Sequence, residues 1–370
     1  MTMPATLAAY FSRQFLLAVL AALGGLTTLG SLFDLIDLLR RAASRPDATF
    51  WLVCEMAALR MPWLLMQILP FAVLLGGIYA FWRLTRFSEL VVARAAGVSI
   101  WQILGAPFLV ALLVGGFATA VISPVTSVTF ARATALDDAY LKVGAGPLTV
   151  NGGQLWLRQS DSGLIPDGVA IIHAVDVRLH GKILSAQQVS VFRLDQHDHL
   201  LQRIEARRAQ LGNGAWVFTD ASTLEPGHLP SAPGRIRIPT DLTIARVQES
   251  FASPDTLSVW QLPGFISLLA RSGFSTVAHR LYFQTLLALP LLCGTMSLVA
   301  AGFSMRPARR GHVSEMLLSG AAAGFALFVL SKVAAEYGKS GALPPVLAAW
   351  APAASGLLLA LGLLLHLEDG

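Results

Sequence analysis

Charged residues are scarce in this sequence. Asp, Glu, Lys and Arg make up only 13% of the 370 residues, and hydrophobic residues make up 55%. A soluble domain carries about 25% charged residues. This deficit argues against an ordinary soluble domain. It indicates a lipid bilayer, in which a spanning helix needs about 20 consecutive apolar residues.

Motifs that mark common enzyme classes are also missing. The sequence contains no GxxxxGK[S/T] phosphate-binding loop, no HExxH, no GxSxG and no CxxC. We therefore expect no catalytic site, no cofactor and no ATP binding by such a loop. Cys54 and Cys293 lie in or beside apolar stretches and offer neither a disulfide framework nor a zinc site. His197 and His199 could share a metal on a strand, but beside Asp195 and Asp198 they are better explained as a solvated turn.

Long uncharged runs dominate what is present. Six stretches are long enough to span a bilayer, and only the fifth contains charged residues, Glu315 and Lys332. The first is read as a retained helix because no small-residue cleavage site follows it. In chain order the stretches are Phe15–Phe33, Trp63–Trp82, Ile100–Ile122, Leu281–Phe303, Val313–Ala335 and Pro345–Leu365.

Basic residues near the ends of these stretches predict the orientation, because cytoplasmic loops are enriched in Lys and Arg. One side has short loops with Arg83, Arg86, Arg94, Arg306, Arg309 and Arg310. The other side has Arg40, Arg41, Arg45, Arg60 and Lys339. We expect the first side and both termini to be cytoplasmic. The net charge of +5 is modest and follows this pattern, so it does not indicate a nucleic-acid partner.

The region between the third and fourth stretches has a different character. Short alternating runs are separated by Gly, Asp and Asn, which is typical of an all-β sandwich or jelly roll. The sequence LGNGAW predicts a hairpin turn at Asn213-Gly214. Alternation along the strands predicts that Leu155, Ile172 and Val217 point inwards, where they could line a groove for acyl chains or form the core of the domain. The predicted fold is a membrane α-helical protein with six spans, arranged three plus three, and an inserted jelly-roll-like domain. Its parts are residues 1–139, the β domain 140–250, and residues 251–370, which begin with a short amphipathic helix.

The charged segment 83–98 lies between the second and third spans. Leu84, Phe87, Val91 and Ala95 recur at helical spacing and predict one apolar stripe, with Ser88 as a possible cap and Gly97 as the end. The helix could lie on the bilayer with its arginines at lipid phosphates. That explanation leaves Glu89 without a role, so a helix that docks on a protein partner is favoured.

Several motifs resemble the LptF/LptG permease family of lipopolysaccharide export. The most specific is RFSELVVARAAGVS (Arg86–Ser99), which is similar to the family's cytoplasmic coupling segment. The string Ser88–Val92 and the sequence Ile36–Arg41 lean towards the G-type branch. Further resemblances, spread along the chain, are FDLIDLLRRA, ISPVTSVTFARATA, ARRAQLGNGAWVF and GALPPVLAAWAPA.

The resemblance implies a permease subunit of an ABC transporter in the bacterial inner membrane. Its implied partners are a cytoplasmic LptB-like ATPase dimer, an LptF-like permease, LptC-like and LptA-like periplasmic bridge proteins, and lipopolysaccharide. The ATPase would supply the missing phosphate-binding loop, and the β domain would be periplasmic and carry the lipid onwards. The residues that would couple to the ATPase are Arg86, Ser88, Glu89, Leu90 and Arg94.

The residues that would bind the lipid head group are harder to identify. Members of the G-type branch often carry lysines in the first two helices, where this chain has Asp34 and Trp63. The remaining basic candidates for lipid binding are Arg40, Arg41, Arg60, Arg132 and Lys332. Arg132 follows the third stretch by roughly ten residues, so a helix that extends past the membrane could hold it near the other candidates. For Arg40 and Arg41, interfacial snorkelling remains an alternative, and for Lys332 an internal salt bridge with Glu336, four residues on, does.

Two other functions stay open on the sequence. A secondary transporter would usually have broken helices and ion ligands at mid-membrane, and only Lys332 hints at this. A membrane-anchored scaffold or receptor could display the β domain without any transport. Such a scaffold would not need a structured cytoplasmic loop.

Overall fold

The computed structural model contains an α-helical unit and a β unit. It describes residues 5–43, 45, 48–141, 148–151, 154–160, 168–180, 183–195, 199–212, 214–240, 253–271, 274–304 and 313–368. The helical unit comprises residues up to Leu141, Pro254–Pro263 and Val277 onwards. The β unit comprises 142–253 together with Gly264–Thr276, so the segment after the sheet is divided between the two units.

Six helices of the described residues are long and apolar enough to cross a membrane, and they coincide with the six predicted stretches. The helices are α1 (Ala5–Ala42), α2 (Phe50–Arg86), α3 (Glu89–Ala95), α4 (Ile100–Phe117), α5 (Ser123–Tyr140), α6 (Leu262–Arg271), α7 (Val277–Ser304), α8 (Val313–Lys339) and α9 (Pro345–Glu368). A π-helical turn, Ala118–Ile122, joins α4 to α5, so that they form one 41-residue span. The chain is thus a multi-pass membrane protein.

The first three spans are longer than a bilayer requires. α1 has 38 residues and α2 has 37. At 1.5 Å per residue each is about 55 Å long, against a hydrocarbon thickness of about 30 Å. Their ends therefore extend beyond the hydrocarbon region. This extension confirms the expectation that α5 continues past the membrane and holds Arg132 near the ends of the helices.

Glycines allow the helices of this unit to pack closely. A Cβ added to Gly76 of α2 would lie 2.5 Å from the Cα of Val19 in α1, and one added to Gly115 of α4 would lie 2.6 Å from the Cα of Pro290 in α7. In a bilayer, where the hydrophobic effect does not drive helix association, such close backbone contact is a principal stabilising interaction.

The π-helical turn is held by side chains from other segments. The hydroxyl of Thr119 is buried and donates to the carbonyl oxygen of Leu286 at 2.9 Å. The indole Nε1 of Trp260 donates to the carbonyl oxygen of Ala120 at 3.2 Å. A π turn leaves backbone carbonyls without their α-helical partners, so the Trp260 contact provides one of them with a hydrogen bond.

The β unit is one antiparallel sheet of seven described strands, each paired with its neighbours in sequence. The strands are β1 (Leu148–Asn151), β2 (Gln154–Ser160), β3 (Val169–His180), β4 (Ile183–Leu194), β5 (Leu200–Gly212), β6 (Ala215–Leu224) and β7 (Gly234–Pro239). The predicted inserted β domain is confirmed. In the described part of the sheet, the strands lie side by side in the order of the sequence. Gly214 has φ +68° in the predicted turn, and Asn213 lies outside the described residues.

One face of the sheet forms an apolar core. Trp216 and Phe218 are fully buried there, together with Leu155 and Ile172. Bulges at Gln188 and Asp220, with φ +48° and +54°, add a residue to β4 and β6. Each bulge shifts the alternation by one, so that Val189 and Ala221 also face the core. The extra residue adds to the curvature of the sheet.

The predicted amphipathic helix α6 supplies part of this core. Leu269 of α6 and Phe274 just after it belong to the same buried cluster, and Phe265 packs against it. The sequence had assigned this segment to the returning helices. Its apolar side chains instead complete the packing of the sheet.

Candidate functional site

Basic and acidic side chains meet where α1 ends, α2 begins and α5 ends. The group comprises Asp34, Asp37, Arg40, Arg41, Arg60 and Asp137, and is called the rim cluster below. α1 presents the first four because helical spacing of three and four places them on adjacent faces. With three carboxylates and three guanidinium groups, the formal charge of the cluster is zero.

Asp137 of α5 is the most deeply buried member of the rim cluster. One of its oxygens, Oδ1, lies 3.1 Å from Nη1 of Arg41 and 3.6 Å from Nη2 of Arg60, and its side chain is only 8% exposed. Arg60 is 16% exposed and also donates to Asp34 at 3.3 Å. A carboxylate from the third span therefore connects two guanidinium groups from the first and second.

The outer members of the rim cluster are more accessible. Arg40 is 80% exposed and pairs with Asp37 at 2.8 Å, while Arg41 contacts the other oxygen of Asp37 at 3.1 Å. Arg132 of α5 pairs with Glu55 of α2 at 2.7 Å and is 66% exposed. All four arginines predicted to bind lipid at this end thus have carboxylate partners within the chain.

The two positions that depart from the family pattern are both engaged. Asp34 accepts a hydrogen bond from Arg60. Trp63 stacks on Phe130 with ring centroids 5.1 Å apart, and its indole donates to Asp255 at 3.3 Å. A carboxylate in α1 with an arginine in α2 thus occupies the region where family members often have lysines.

Lys332 of α8 lies on an exposed surface. Its Nζ donates to the amide oxygen of Gln67 at 2.8 Å and lies 5.4 Å from the centroid of the Phe328 ring. Glu336, the partner considered for a salt bridge, pairs instead with Lys339 at 2.8 Å. The positive charge of Lys332 thus has neutral neighbours.

The segment 83–98, the coupling segment below, is a short helix between two tight turns. Ser88 stands at the N-cap of α3 with φ +59°, but its side chain makes no capping hydrogen bond. Gly97 has φ +85°, and the amides of Gly97 and Val98 donate to the carbonyl oxygens of Arg94 and Ala93. These two hydrogen bonds are a Schellman motif, so the prediction that Gly97 ends the helix is confirmed.

The apolar face of α3 is divided. Leu90 and Ala93 are buried, so they attach the helix to its own chain. Phe87, Val91 and Val92 are 65%, 63% and 68% exposed. The predicted single stripe was wrong, because the turn at Ser88 interrupts the helical phase. Leu84 lies buried in α2 and Phe87 is the C-cap of α2, so only Val91 and Ala95 lie in α3.

The charged residues of the coupling segment contact α1 and α2. The hydroxyl of Tyr10 donates to Glu89 at 3.3 Å, and Nη1 of Arg83 donates to the amide oxygen of Gln14 at 2.6 Å. Arg86 lies over the ring of Trp82, and Arg94 is exposed in the last turn of α3. Arg306, Arg309 and Arg310 of the neighbouring predicted loop lie outside the described residues.

Two other sequence predictions concern the β unit. Leu155 and Ile172 face its core as expected, whereas Val217 is only half-buried, on the opposite face from Trp216 and Phe218. His199 contacts Asp195 at 3.0 Å, and His197 lies outside the described residues. In the part of the chain that is described, no three His, Cys, Asp or Glu residues are placed to share a metal ion.

The sequence reading did not single out Asp137. It follows the third predicted stretch by 15 residues, in a sequence without an apolar pattern, "ATALDDAY". Its signal would have been a pair of carboxylates in a helix that continues past the membrane, opposite the arginines of the first two spans.

Comparison with known proteins extends these observations. A family model described as "Lipopolysaccharide export system permease LptF/LptG" matches residues 9–366. The lipopolysaccharide export system permease protein LptG of Haemophilus influenzae is 24% identical over 356 residues, which are 94% of each chain. The protein of the same name from Escherichia coli K12 is 28% identical over 127 residues, 34% of this chain and 35% of that protein. The six spans, the inserted sheet and this match over nearly the whole length together show that the chain belongs to the LptF/LptG family of lipopolysaccharide export permeases.

Proposed function

We propose that the chain is the G-type permease subunit of an ABC transporter that extracts lipopolysaccharide from the inner membrane. It pairs with an F-type permease, and a separate cytoplasmic ATPase dimer hydrolyses ATP. Periplasmic bridge proteins receive the lipid. The family match over residues 9–366 carries this proposal. The similarity over full length to an LptG protein and the sequence motifs Ser88–Val92 and Ile36–Arg41 favour the G-type role.

The coupling segment supports an ATPase partner. Its helix has only seven residues and would be marginal alone in water, so it needs a surface to pack on. Leu90 and Ala93 provide the attachment to the permease. Phe87, just before this helix, and Val91 within it are largely exposed, and Arg94 is exposed in its last turn. An exposed apolar strip bordered by charge is typical of a protein-docking surface.

Glu89 provides the sharpest test of this docking. In Glu89→Lys the ATPase should be lost on purification of the complex, or ATP hydrolysis should no longer drive lipid release, because the charge that meets a basic partner is reversed. Removal of one member of a desolvated interfacial pair costs about 2–5 kcal/mol of binding. The measurements are co-purification of the ATPase and transport in proteoliposomes.

Tyr10→Phe is the matched control for Glu89. It removes the hydrogen bond within the chain and leaves the carboxylate in place. We expect Tyr10→Phe to retain the ATPase and to transport lipid. If Tyr10→Phe had the same defect as Glu89→Lys, the carboxylate would act inside the permease and the docking role would be wrong.

The rim cluster supports contact with the lipid head group. Its outer arginines, the exposed Arg40 and the half-buried Arg41, are held by Asp37 in an i+3 and i+4 arrangement that phosphate oxygens can replace. Exposed pairs of this kind are worth only about 0–1 kcal/mol, so exchange of partners costs little. We propose that Arg40, Arg41, Arg60, Arg132 and Lys332 are the lipid-binding residues, with the first two making the initial contact.

Charge reversal tests the initial contact. The double variant Arg40→Glu/Arg41→Glu should reduce the stimulation of ATP hydrolysis by lipopolysaccharide while the complex still assembles. Undiminished stimulation would favour snorkelling as the only role of these arginines. A membrane-anchored scaffold, in contrast, would neither bind the ATPase nor respond to lipid at all.

A further inference from the structure

A narrow groove runs between α1 and α2 beside the coupling segment, at the opposite end of these helices from the rim cluster. Its volume is about 180 Å³. The walls are formed by Leu17, Ala18, Ala21 and Ala80, and one end is polar, with Gln14 and Arg83. Because seven residues of α1 separate Gln14 from Ala21, the groove is about 10 Å long at 1.5 Å per residue.

Aromatic residues indicate the depth of this groove in a membrane. Tyr79, which lines the groove, is 55% exposed, and Trp82 stands at the end of the uncharged run of α2. Tyr and Trp are enriched at the level of the lipid head groups. Arg83 follows directly, so its guanidinium lies at the depth of lipid phosphates, and the groove leads from there towards the acyl chains.

The charge of Arg83 is not neutralised by a carboxylate. Its Nη1 donates to the neutral amide oxygen of Gln14 at 2.6 Å, and its guanidinium lies 6.0 Å from the centroid of the Phe87 ring. Among the described residues no Asp or Glu oxygen is recorded within salt-bridge distance of it. In the rim cluster, by contrast, each arginine has a carboxylate partner. A half-buried guanidinium with neutral partners is suited to bind phosphate.

We infer that this groove binds one anionic glycerophospholipid of the bilayer, with the phosphate on Arg83 and an acyl chain along Ala18 and Ala21. The small side chains leave room for a chain of methylene groups, and the amide of Gln14 holds the guanidinium at the mouth. The site lies apart from the rim cluster and does not depend on the transport role proposed above.

Native mass spectrometry of the full-length protein in detergent micelles tests this site, with phosphatidylglycerol as the added probe. Arg83→Gln should weaken retention of one phosphatidylglycerol about tenfold, because a charge-assisted contact is lost. Ala21→Leu should weaken it as well, because the added side chain fills the groove and leaves Arg83 intact. The matched control is Arg13→Gln, which removes an exposed positive charge from the same region of α1 without touching the groove.

The outcomes separate a built site from general attraction. The inference holds if Arg83→Gln and Ala21→Leu lose the lipid while Arg13→Gln keeps it. Equal loss in Arg13→Gln would show attraction to net charge alone and overturn the inference. So would unchanged retention in Arg83→Gln, or retention of zwitterionic phosphatidylethanolamine as strong as that of phosphatidylglycerol.

Discussion

Replacing Asp137 by Asn should destabilise the helical unit more than any exposed ion pair could. The carboxylate is 8% exposed and holds Arg41 at 3.1 Å and Arg60 at 3.6 Å. Removal of one member of a buried ion pair costs about 3–5 kcal/mol. In this variant Arg41 still pairs with Asp37 and Arg60 still pairs with Asp34, so only part of the stabilisation by ion pairs is lost. We expect a decrease in the free energy of unfolding of about 1–3 kcal/mol, the cost of an underpaired buried polar group.

The measurement is unfolding by sodium dodecyl sulfate in mixed micelles, followed by circular dichroism. Glu55→Gln is the matched control, because it neutralises a carboxylate that joins the same two helices, α2 and α5. Its partner Arg132 is 66% exposed, so the control should lose less than about 1 kcal/mol. The double variant Asp137→Asn/Arg60→Gln should be less destabilised than the sum of the two single variants, by about 0.5–3 kcal/mol. Equal losses in Asp137→Asn and Glu55→Gln, or strictly additive effects, would refute the bridging role.

Three further changes test packing and backbone geometry. Gly76→Ala should destabilise the helical unit by about 1–3 kcal/mol, because its Cβ would meet the backbone of α1. Gly24 has open space around it, so Gly24→Ala should be neutral or stabilising. A thermal melt measures both. Gly97→Ala should lower the free energy of unfolding by about 1–2 kcal/mol, because Gly97 has a left-handed backbone conformation. Hydrogen exchange across the coupling segment should increase. Unchanged protection there would contradict the Schellman motif at the end of α3. Trp216→Ala should cost about 3–5 kcal/mol in the β unit, and a loss no larger than that of Val217→Ala would contradict the assignment of the core face.

Much of the fold follows from local sequence. An uncharged run of about 20 residues is sufficient to predict a span, so all six were found. The extension of α1, α2 and α5 beyond the bilayer could not be predicted, except at Arg132, because the polar residues in these extensions follow no apolar pattern. Within the sheet, alternation predicted the inward positions of Leu155 and Ile172, but β6 was read in the wrong phase at Val217.

The candidate site was less predictable because its partners are distant in sequence. Arg41 and Asp137 are separated by 96 positions, so no local spacing in the sequence could pair them. In the coupling segment, the spacing of apolar residues from Leu84 to Ala95 predicted one continuous helix. A single left-handed residue, Ser88, breaks that helix, and the sequence marked it only as a possible cap.

The π-helical turn at Ala118–Ile122 has a consequence for the rim cluster, which lies about 26 Å further along the same span at 1.5 Å per residue. The turn contains one residue more than an α-helical turn would, and each residue of an α-helix rotates the chain by about 100°. If the turn became α-helical with the sequence unchanged, Ser123–Tyr140 would rotate by that angle and carry Asp137 away from Arg41 and Arg60. Deleting one residue from the turn would instead leave the rotation of Asp137 as it is. The angular setting of the third span at the rim is therefore decided at a distant turn, where Thr119 and the contact between Trp260 and Ala120 hold the extra residue in place.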